Sequence, residues 1–298
     1  QVLAGVARAY HGVTLAAEAL KVAEEAKKSA EADLKRAEAV RAAGMATEAD
    51  VLSVKVHLAS VEEQRIRRQY ELDVARAALN EALGLPLDTQ LTLTTPLAPA
   101  LPAADAALEA RAREDRPEVR SARLGGEMAD AQASLARAQL LPRVVARGVL
   151  EADRQRFATR GGGNWMFMTS LQWNLFDGNR ARSQAAEAQH MAASARAQQK
   201  QMENAVALEV RKAQADAQSA MERIAVSDAA VAQAEESLRI LRNRYSAGLA
   251  TITDVLRAET ALLETKTRKL AAIYEQRMAA VNVERAAGIL NGASNVLQ

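Results

Sequence analysis

The residues able to do chemistry in this chain are few and poorly placed for it. His11, His57 and His190 are the only histidines, and imidazole is the side chain best suited to act as a general base or a zinc ligand near neutral pH. None of the three has a second histidine or a pair of carboxylates at ligand spacing, so all are read as helix-surface residues. Gly161-Gly162-Gly163 could cradle a phosphate only if a helix opened behind it; a strand pattern follows instead, and the run reads as a flexible loop. Cysteine is absent, which excludes disulfides and thiolate metal sites. Two acids do recur in a fixed setting: Asp50 and Asp254 each stand six residues after a glycine, Gly44 or Gly248. The chemistry open to an acid there is to accept backbone N–H groups where a helix begins. No active site, metal site or cofactor is expected.

The elements that hold these acids occur twice. Ala43–Leu52 aligns without a gap to Ala247–Leu256, 204 residues later, with seven of ten positions identical, and the register holds as far as Gly84 and Gly288. Each copy reads as a helical hairpin. Residues 179–247 contain neither Gly nor Pro. Within them Val206, Val210, Ala213, Ala217, Ala220, Ile224, Ser227, Val231, Ala234, Leu238, Leu241 and Tyr245 recur at alternating steps of four and three, a coiled-coil seam. At 1.5 Å per residue that helix would be about 100 Å long. The matching seam in the first copy is Val2, Val6, Ala9, Val13, Ala16, Leu20, Ala23, Ala30, Leu34 and Ala37, with Lys27 the exception. The chain starts as if in mid-helix, which reads as N-terminal truncation. Each long helix is expected to end at its glycine in the left-handed conformation. Thr47 or Thr253, followed by Asp50 or Asp254, then caps the returning helix. The returning helices run to about Leu83 and Leu290, with Leu256, Leu263 and Leu270 on one seam.

The composition fits this pattern. Aromatics are 3% and charged residues 26% of 298 residues, with a formal charge of +2. Such a mixture favours long helices with narrow apolar seams over a broad aromatic core. Basic and acidic residues are interleaved, and neither a basic stripe nor stacking aromatics point to nucleic acid. Leu85 to Pro102 reads as an extended crossing segment, and Ala106 to Leu141 as a helix with Pro117 near its start and Gly125-Gly126 weakening its middle. From Asn164 to Leu175 the period changes to two. Trp165, Phe167, Thr169, Leu171, Trp173 and Leu175 take one face and Met166, Met168, Ser170, Gln172 and Asn174 the other. Arg143 to Glu151 is the expected partner strand and Asp153 to Gly163 the connecting loop. The two tryptophans on the apolar face are placed like the aromatic girdles of a membrane barrel.

These segments together resemble the TolC family of outer-membrane efflux proteins. The resemblance is carried by Trp173-Asn174-Leu175-Phe176-Asp177-Gly178 at the strand-to-helix junction, by Arg244-Tyr245-Ser246-Ala247-Gly248-Leu249 running to Asp254-Val255-Leu256 at a tip turn, and by Asp115-Arg116-Pro117-Glu118-Val119. It implies a mainly α fold: long antiparallel coiled-coil hairpins in two structural repeats with one β-hairpin, a TolC-like α/β-barrel protomer lacking its first strand pair. The expected division is 1–84 (first periplasmic hairpin, incomplete), 85–105 (equatorial crossing segment), 106–141 (descending helix), 142–178 (outer-membrane β-hairpin) and 179–298 (second long hairpin). It implies a homotrimer in outer-membrane lipid with a large periplasmic helical portion. Function would be that of a passive exit duct, not an enzyme, docked to a periplasmic adaptor and an inner-membrane pump. Gly44, Asp50, Tyr245, Gly248, Asp254 and Arg257 would lie at the periplasmic mouth, in gate and adaptor contacts, and Trp165 and Trp173 in the membrane girdle. Ala250 and Arg257 depart from members that carry an Arg and a second Asp there, which puts the usual gate network in doubt. A trimer with two strands per protomer would not close the normal barrel and is not expected to conduct as it stands. The alternative is a soluble coiled-coil scaffold or a periplasmic adaptor; an adaptor should add a compact β-rich domain, for which the sequence offers no run of short strands.

Overall fold

The computed structural model describes residues 2–100, 107–156 and 160–297. Their elements are α1 (Val2–Ala42), α2 (Glu48–Leu83), α3 (Leu108–Asp115), α4 (Pro117–Ala138), β1 (Arg143–Arg156), β2 (Arg160–Gln172), α5 (Arg180–Ser246) and α6 (Ile252–Ala287), followed by a short 3-10 turn at Asn295–Leu297. The chain divides into two compact units, Gln1–Ala112 with Ala207–Gln298, and Arg113–Val206.

In the first unit α1 packs along α2 and also along α6. The α5 seam is as the spacing predicts: its positions are buried from Val206 to Tyr245, apart from Ala234 and Leu241, which are half-buried. The α1 seam is only partly so. Ala23, Ala30 and Ala37 are buried, but Val2 is exposed, Leu34 is half-buried, and Ala4, Ala7, His11 and Asp33 are buried instead. The cause is the second neighbour, α6, which draws the packed arc of α1 round from the face that α2 alone would take. Lys27, the odd residue of the seam, is satisfied by Glu62 of α2 at 2.9 Å. On α6 the expected Leu256, Leu263 and Leu270 are half-buried, while Ile252, Val255 and Glu259 take the inner positions. Ion pairs Arg223–Glu275 (2.7 Å), Lys269–Asp228 (2.7 Å) and Lys266–Glu235 (3.3 Å) join α5 and α6 in antiparallel order.

Helices α2 and α5 carry a second apolar stripe on the face opposite the packed one. Leu52, Val56, Ile66, Tyr70 and Val74 of α2 are exposed, and at about 100° per residue they share an arc of about 80°. The buried Val51, Val54, Val61, Leu72 and Leu79 lie on the other side. On α5 the exposed Leu208, Val226 and Ile240 form a comparable stripe.

Residues 85–100 contain no helix or strand, yet their backbone is not left to water. Asn80 Nδ2 donates to the carbonyls of Leu87 (2.7 Å) and Thr89 (2.9 Å). The amide of Thr95 donates to Tyr10 Oη (3.2 Å), and Arg277 Nη1 donates to the Ala98 carbonyl (3.0 Å). Gln276 engages both the amide and the carbonyl of Ala100. The segment expected at 85–105 is free of helix and strand over 85–100, with a turn closed from Thr89 N to the Pro86 carbonyl (3.0 Å); its remainder and the proposed helix start at Ala106 lie outside the described residues.

The expected helix from Ala106 to Leu141 is two helices. Arg116 sits between them at φ −68°, ψ 131°, because the ring of Pro117 disfavours helical backbone at the preceding residue. Gly125-Gly126 does not interrupt α4. A Cβ on Gly126 would meet Gln199 Oε1 of α5 at 3.2 Å. Both strands reach beyond the predicted ends into what was expected to be loop, since Ala152↔Gly163 and Asp153↔Gly162 are paired. Backbone pairing continues there through polar residues and glycines, which a search for apolar alternation does not register. The connecting residues 157–159 lie outside those described. The register places Val144↔Leu171, Ala146↔Thr169, Gly148↔Phe167 and Leu150↔Trp165 on one face. The other is mixed, with Arg143↔Gln172, Val145↔Ser170, Arg147↔Met168, Val149↔Met166 and Glu151↔Asn164. Trp165 is 78% exposed and Trp173 58%; Trp173 stands one residue past the end of β2, not within it.

Candidate functional site

The duplicated corners are built alike at the level of the backbone. Gly44 (φ 76°) and Gly248 (φ 73°) are left-handed, a conformation costly for any residue with a Cβ. In the first corner the amides of Gly44 and Met45 donate to the Arg41 and Val40 carbonyls at 2.8 and 3.1 Å. In the second, those of Gly248 and Leu249 donate to Tyr245 and Arg244 at 3.0 and 2.8 Å. Both pairs close the helix end as a Schellman motif. Capping boxes then open α2 and α6. Thr47 N donates to Asp50 Oδ2 (2.8 Å) and Asp50 N to Thr47 Oγ1 (3.2 Å); Thr251 N donates to Asp254 Oδ2 (3.1 Å) and Asp254 N to Thr251 Oγ1 (3.2 Å). The second cap is thus Thr251, not the expected Thr253, as the 204-residue offset from Thr47 requires. Hydrogen bonds from the Thr251 side chain and backbone hold the Asp254 carboxyl below the usual range, with Arg257 and Arg244 adding to the effect. Both acids therefore have a local structural duty, and only the remaining oxygen of each is at liberty for another contact.

Behind the corners the two hairpins share one apolar core. Ala37, Val51, Val54, Leu238, Tyr245, Ile252, Val255 and Ala258 are packed together. Tyr245 is 6% exposed, and its hydroxyl is buried without a hydrogen-bond partner among the described residues. Burial raises its pKa, and the charges of Asp50 and Asp33 raise it further. The structure thus brings Tyr245 near Asp50, while Arg257 is exposed one turn beyond Asp254.

One cluster escaped the sequence reading. Arg242 of α5 donates to Asp33 Oδ2 (2.8 Å) and Glu259 Oε1 (2.5 Å) and also reaches Ser29 Oγ. Arg36 closes on the other Asp33 oxygen. Ser29 Oγ donates to Glu259 Oε1 (3.0 Å), and His57 Nε2 lies 3.1 Å from Glu259 Oε2. Side chains of α1, α2, α5 and α6 meet there. Burial first, and then Glu259 beside it, push the Asp33 carboxyl up to about 6. For Glu259 burial opposes charge, but the proximity of His57 and Asp33 and the Arg242 cation outweigh it and hold the group near about 2. The legible signal was a carboxylate in the apolar register of two helices, Asp33 between Ala30 and Ala37 and Glu259 after Ile252 and Val255.

The histidines are not uniformly surface residues. His190 is exposed, His57 is half-buried beside Glu259, and His11 is 1% exposed. His11 Nε2 accepts from Arg277 Nε (3.2 Å), and its pKa falls to about 4, chiefly through burial and then through the Arg277 charge. Nothing in the first-copy pattern marks this, because Arg277 arrives from the far end of the chain. Among the described residues no three His, Asp or Glu side chains gather as a metal shell, and no helix is long and apolar enough to cross a membrane.

Two capped helical hairpins, separated in sequence by one antiparallel pair of strands, define the architecture. The chain belongs to the outer membrane efflux protein family, whose model matches residues 1–85 and 108–289. Its fold is similar to that of the outer-membrane channel OprN, with a TM-score of 0.78 and 24% identity over 96% of this chain and 66% of that one. A membrane protein from Pseudomonas aeruginosa gives 0.80 and 22% over 96% and 68%. The outer membrane protein VceC from Vibrio cholerae gives 0.74 and 24% over 96% and 69%. The chain therefore spans about two thirds of the length of these structures. No curated protein matches it.

Proposed function

We propose that this chain supplies the wall of an outer-membrane exit duct: a homotrimer whose helices form a periplasmic tube, whose corners meet a periplasmic adaptor, and through which an inner-membrane pump discharges its cargo. The observation that carries this reading is the second apolar stripe on α2 and α5. A helix in a globule or a simple two-helix scaffold needs one apolar side. A helix in a tube wall touches neighbours on both flanks, and the stripes on α2 and α5, like the exposed Leu124, Met128 and Leu135 of α4, face away from the packed side in a single copy. They fit a head-to-tail contact between copies, which closes into a ring.

The remaining parts follow the same reading. The face bearing Trp165, Phe167, Leu171 and Leu150 meets lipid, with Trp165 and Trp173 at the two interfaces. Gly44, Asp50, Tyr245, Gly248, Asp254 and Arg257 lie at the mouth, and the division at 84, 105, 141 and 178 separates tip hairpin, crossing segment, descending helix, membrane hairpin and second long hairpin. Transport by diffusion needs no catalytic group.

The absence of native cysteine makes the test clean. Glu259 touches both His57 and Arg242, which places Val56 near the level of Ile240 and Val74 near that of Val226. The double variants Val56→Cys with Ile240→Cys, and Val74→Cys with Val226→Cys, should give covalent dimers and trimers on mild oxidation of detergent-solubilised protein. Monomers only, or full solubility without detergent, would return the scaffold reading.

A further inference from the structure

Behind the corners a cavity of about 80 Å³ lies among α1, α2, α5 and α6. Its walls are mostly apolar, with Val22, Val61, Leu238, Leu262 and Leu263, and Glu259 enters it from α6. The two oxygens of Glu259 are unequal. Oε1 is filled by Ser29 and Arg242. Oε2 is buried with His57 Nε2 3.1 Å away, and among the described residues it accepts no aligned hydrogen bond. The residue is 7% exposed. The neighbouring charges are engaged: Arg242 and Arg36 on Asp33, Arg242 also on Glu259 Oε1, and Lys266, which lines the cavity with Glu25, between Glu25 (3.4 Å) and Glu235 (3.3 Å). What is open is one buried carboxylate oxygen beside apolar walls.

We infer that this cavity is a binding site for a small organic cation, a short-chain primary alkylammonium, whose N–H groups donate to Glu259 Oε2 and whose alkyl part lies on Leu238, Leu262 and Leu263. An anion would face the carboxylate. A metal ion would find one oxygen and a single imidazole, too few for a shell. A neutral alcohol could fill the space, but its hydroxyl would bring no charge to a carboxylate held in low dielectric. Because the four helices all contribute to the walls, an occupant binds only the assembled bundle and therefore raises its stability by mass action. The inference rests on these side chains and not on the duct reading, and it stands or falls separately.

The test uses the full chain in detergent, with n-butylammonium chloride as the probe, sodium chloride at equal ionic strength as the reference and butan-1-ol as the uncharged comparison. At about ten times its Kd the ammonium should raise Tm by about 2–4 °C over the reference, and butan-1-ol should do much less. Glu259→Gln should abolish the shift. Since that variant also deprives Arg242 of a carboxylate, Val61→Phe serves as the second: it fills the cavity, leaves the Arg242 cluster in place, and should abolish the shift as well. No shift in the parent protein, an equal shift with butan-1-ol, or a shift that survives in Val61→Phe overturns the proposal.

Discussion

The two corners share their backbone hydrogen bonds and differ in what they bury. At equivalent positions 204 residues apart, the first corner has Arg41 and Glu48 where the second has Tyr245 and Ile252. Arg41 and Glu48 pair in water at 2.6 Å, both side chains at least half exposed. Tyr245 and Ile252 are 6% and 3% exposed. The same holds one turn away, with the signs exchanged: Glu38 and Lys55 are exposed in the first copy, while their counterparts Arg242 and Glu259 form the buried cluster. The caps are thus the cost of turning a long helix back on itself, which both copies must meet. The side chains between the caps decide which hairpin becomes the inner one. Duplication preserved the turn and divided the environments.

Exchanging residues between the corners breaks this comparison most severely. Ile252→Glu puts an unpaired carboxylate into the shared core and should cost about 3 kcal/mol or more, whereas Glu48→Ile should change stability by no more than about 0.5 kcal/mol. Urea unfolding of both in detergent would show the asymmetry, and similar losses would deny it. The caps should behave oppositely, by being alike. Gly44→Ala and Gly248→Ala should each cost about 1 kcal/mol, and Thr47→Ala and Thr251→Ala about 1 kcal/mol each. Hydrogen exchange at the first-turn amides of α2 and α6 would check whether the two copies match.

A pH comparison sharpens the inner side. The folded-state pKa of Asp33 is raised to about 6, so its contribution to stability is present below the ordinary value of 3.8 and is lost as pH rises through about 6. Glu259, held near about 2, runs the other way: its contribution is present above 4.5 and lost as pH falls through about 2. Asp33→Asn should therefore remove a decline in unfolding free energy between pH 4 and 6 that the parent shows relative to it, and a parallel pair of curves would count against the buried position of that carboxyl. A small effect of the opposite sign is expected from Tyr245→Phe. It removes a buried hydroxyl without a partner and should leave stability unchanged or raise it by up to about 1 kcal/mol.

Much of this was legible because it is local. Gly44, Gly248 and the pair Thr47–Asp50 announce the turns through the chemistry of a few adjacent residues, although Thr253 was read for Thr251 in the second, and the α5 seam is announced by its period. Arg116 was readable from Pro117 but was merged into a longer helix. What stayed hidden depends on partners far along the chain. His11 is buried because Arg277 reaches it, and Asp33 because Arg242 and Glu259 converge on it. Periodicity registers where apolar residues fall on one helix and is silent about which charge another helix will bring. The polar ends of β1 and β2 were missed for a related reason, since backbone pairing continues there through residues that carry no apolar alternation.

The crossing segment has the last consequence. A connection without helix or strand is ordinarily where a chain accepts insertions and cuts. Here Asn80, Tyr10, Arg277 and Gln276 grip it at Leu87, Thr89, Thr95, Ala98 and Ala100. It works as a measuring tape laid between the repeats, with its graduations fixed by four side chains. Adding or removing a single residue between Thr89 and Ala98 would put every later mark out of step with α6, so the length of this stretch is as constrained as any helix beside it.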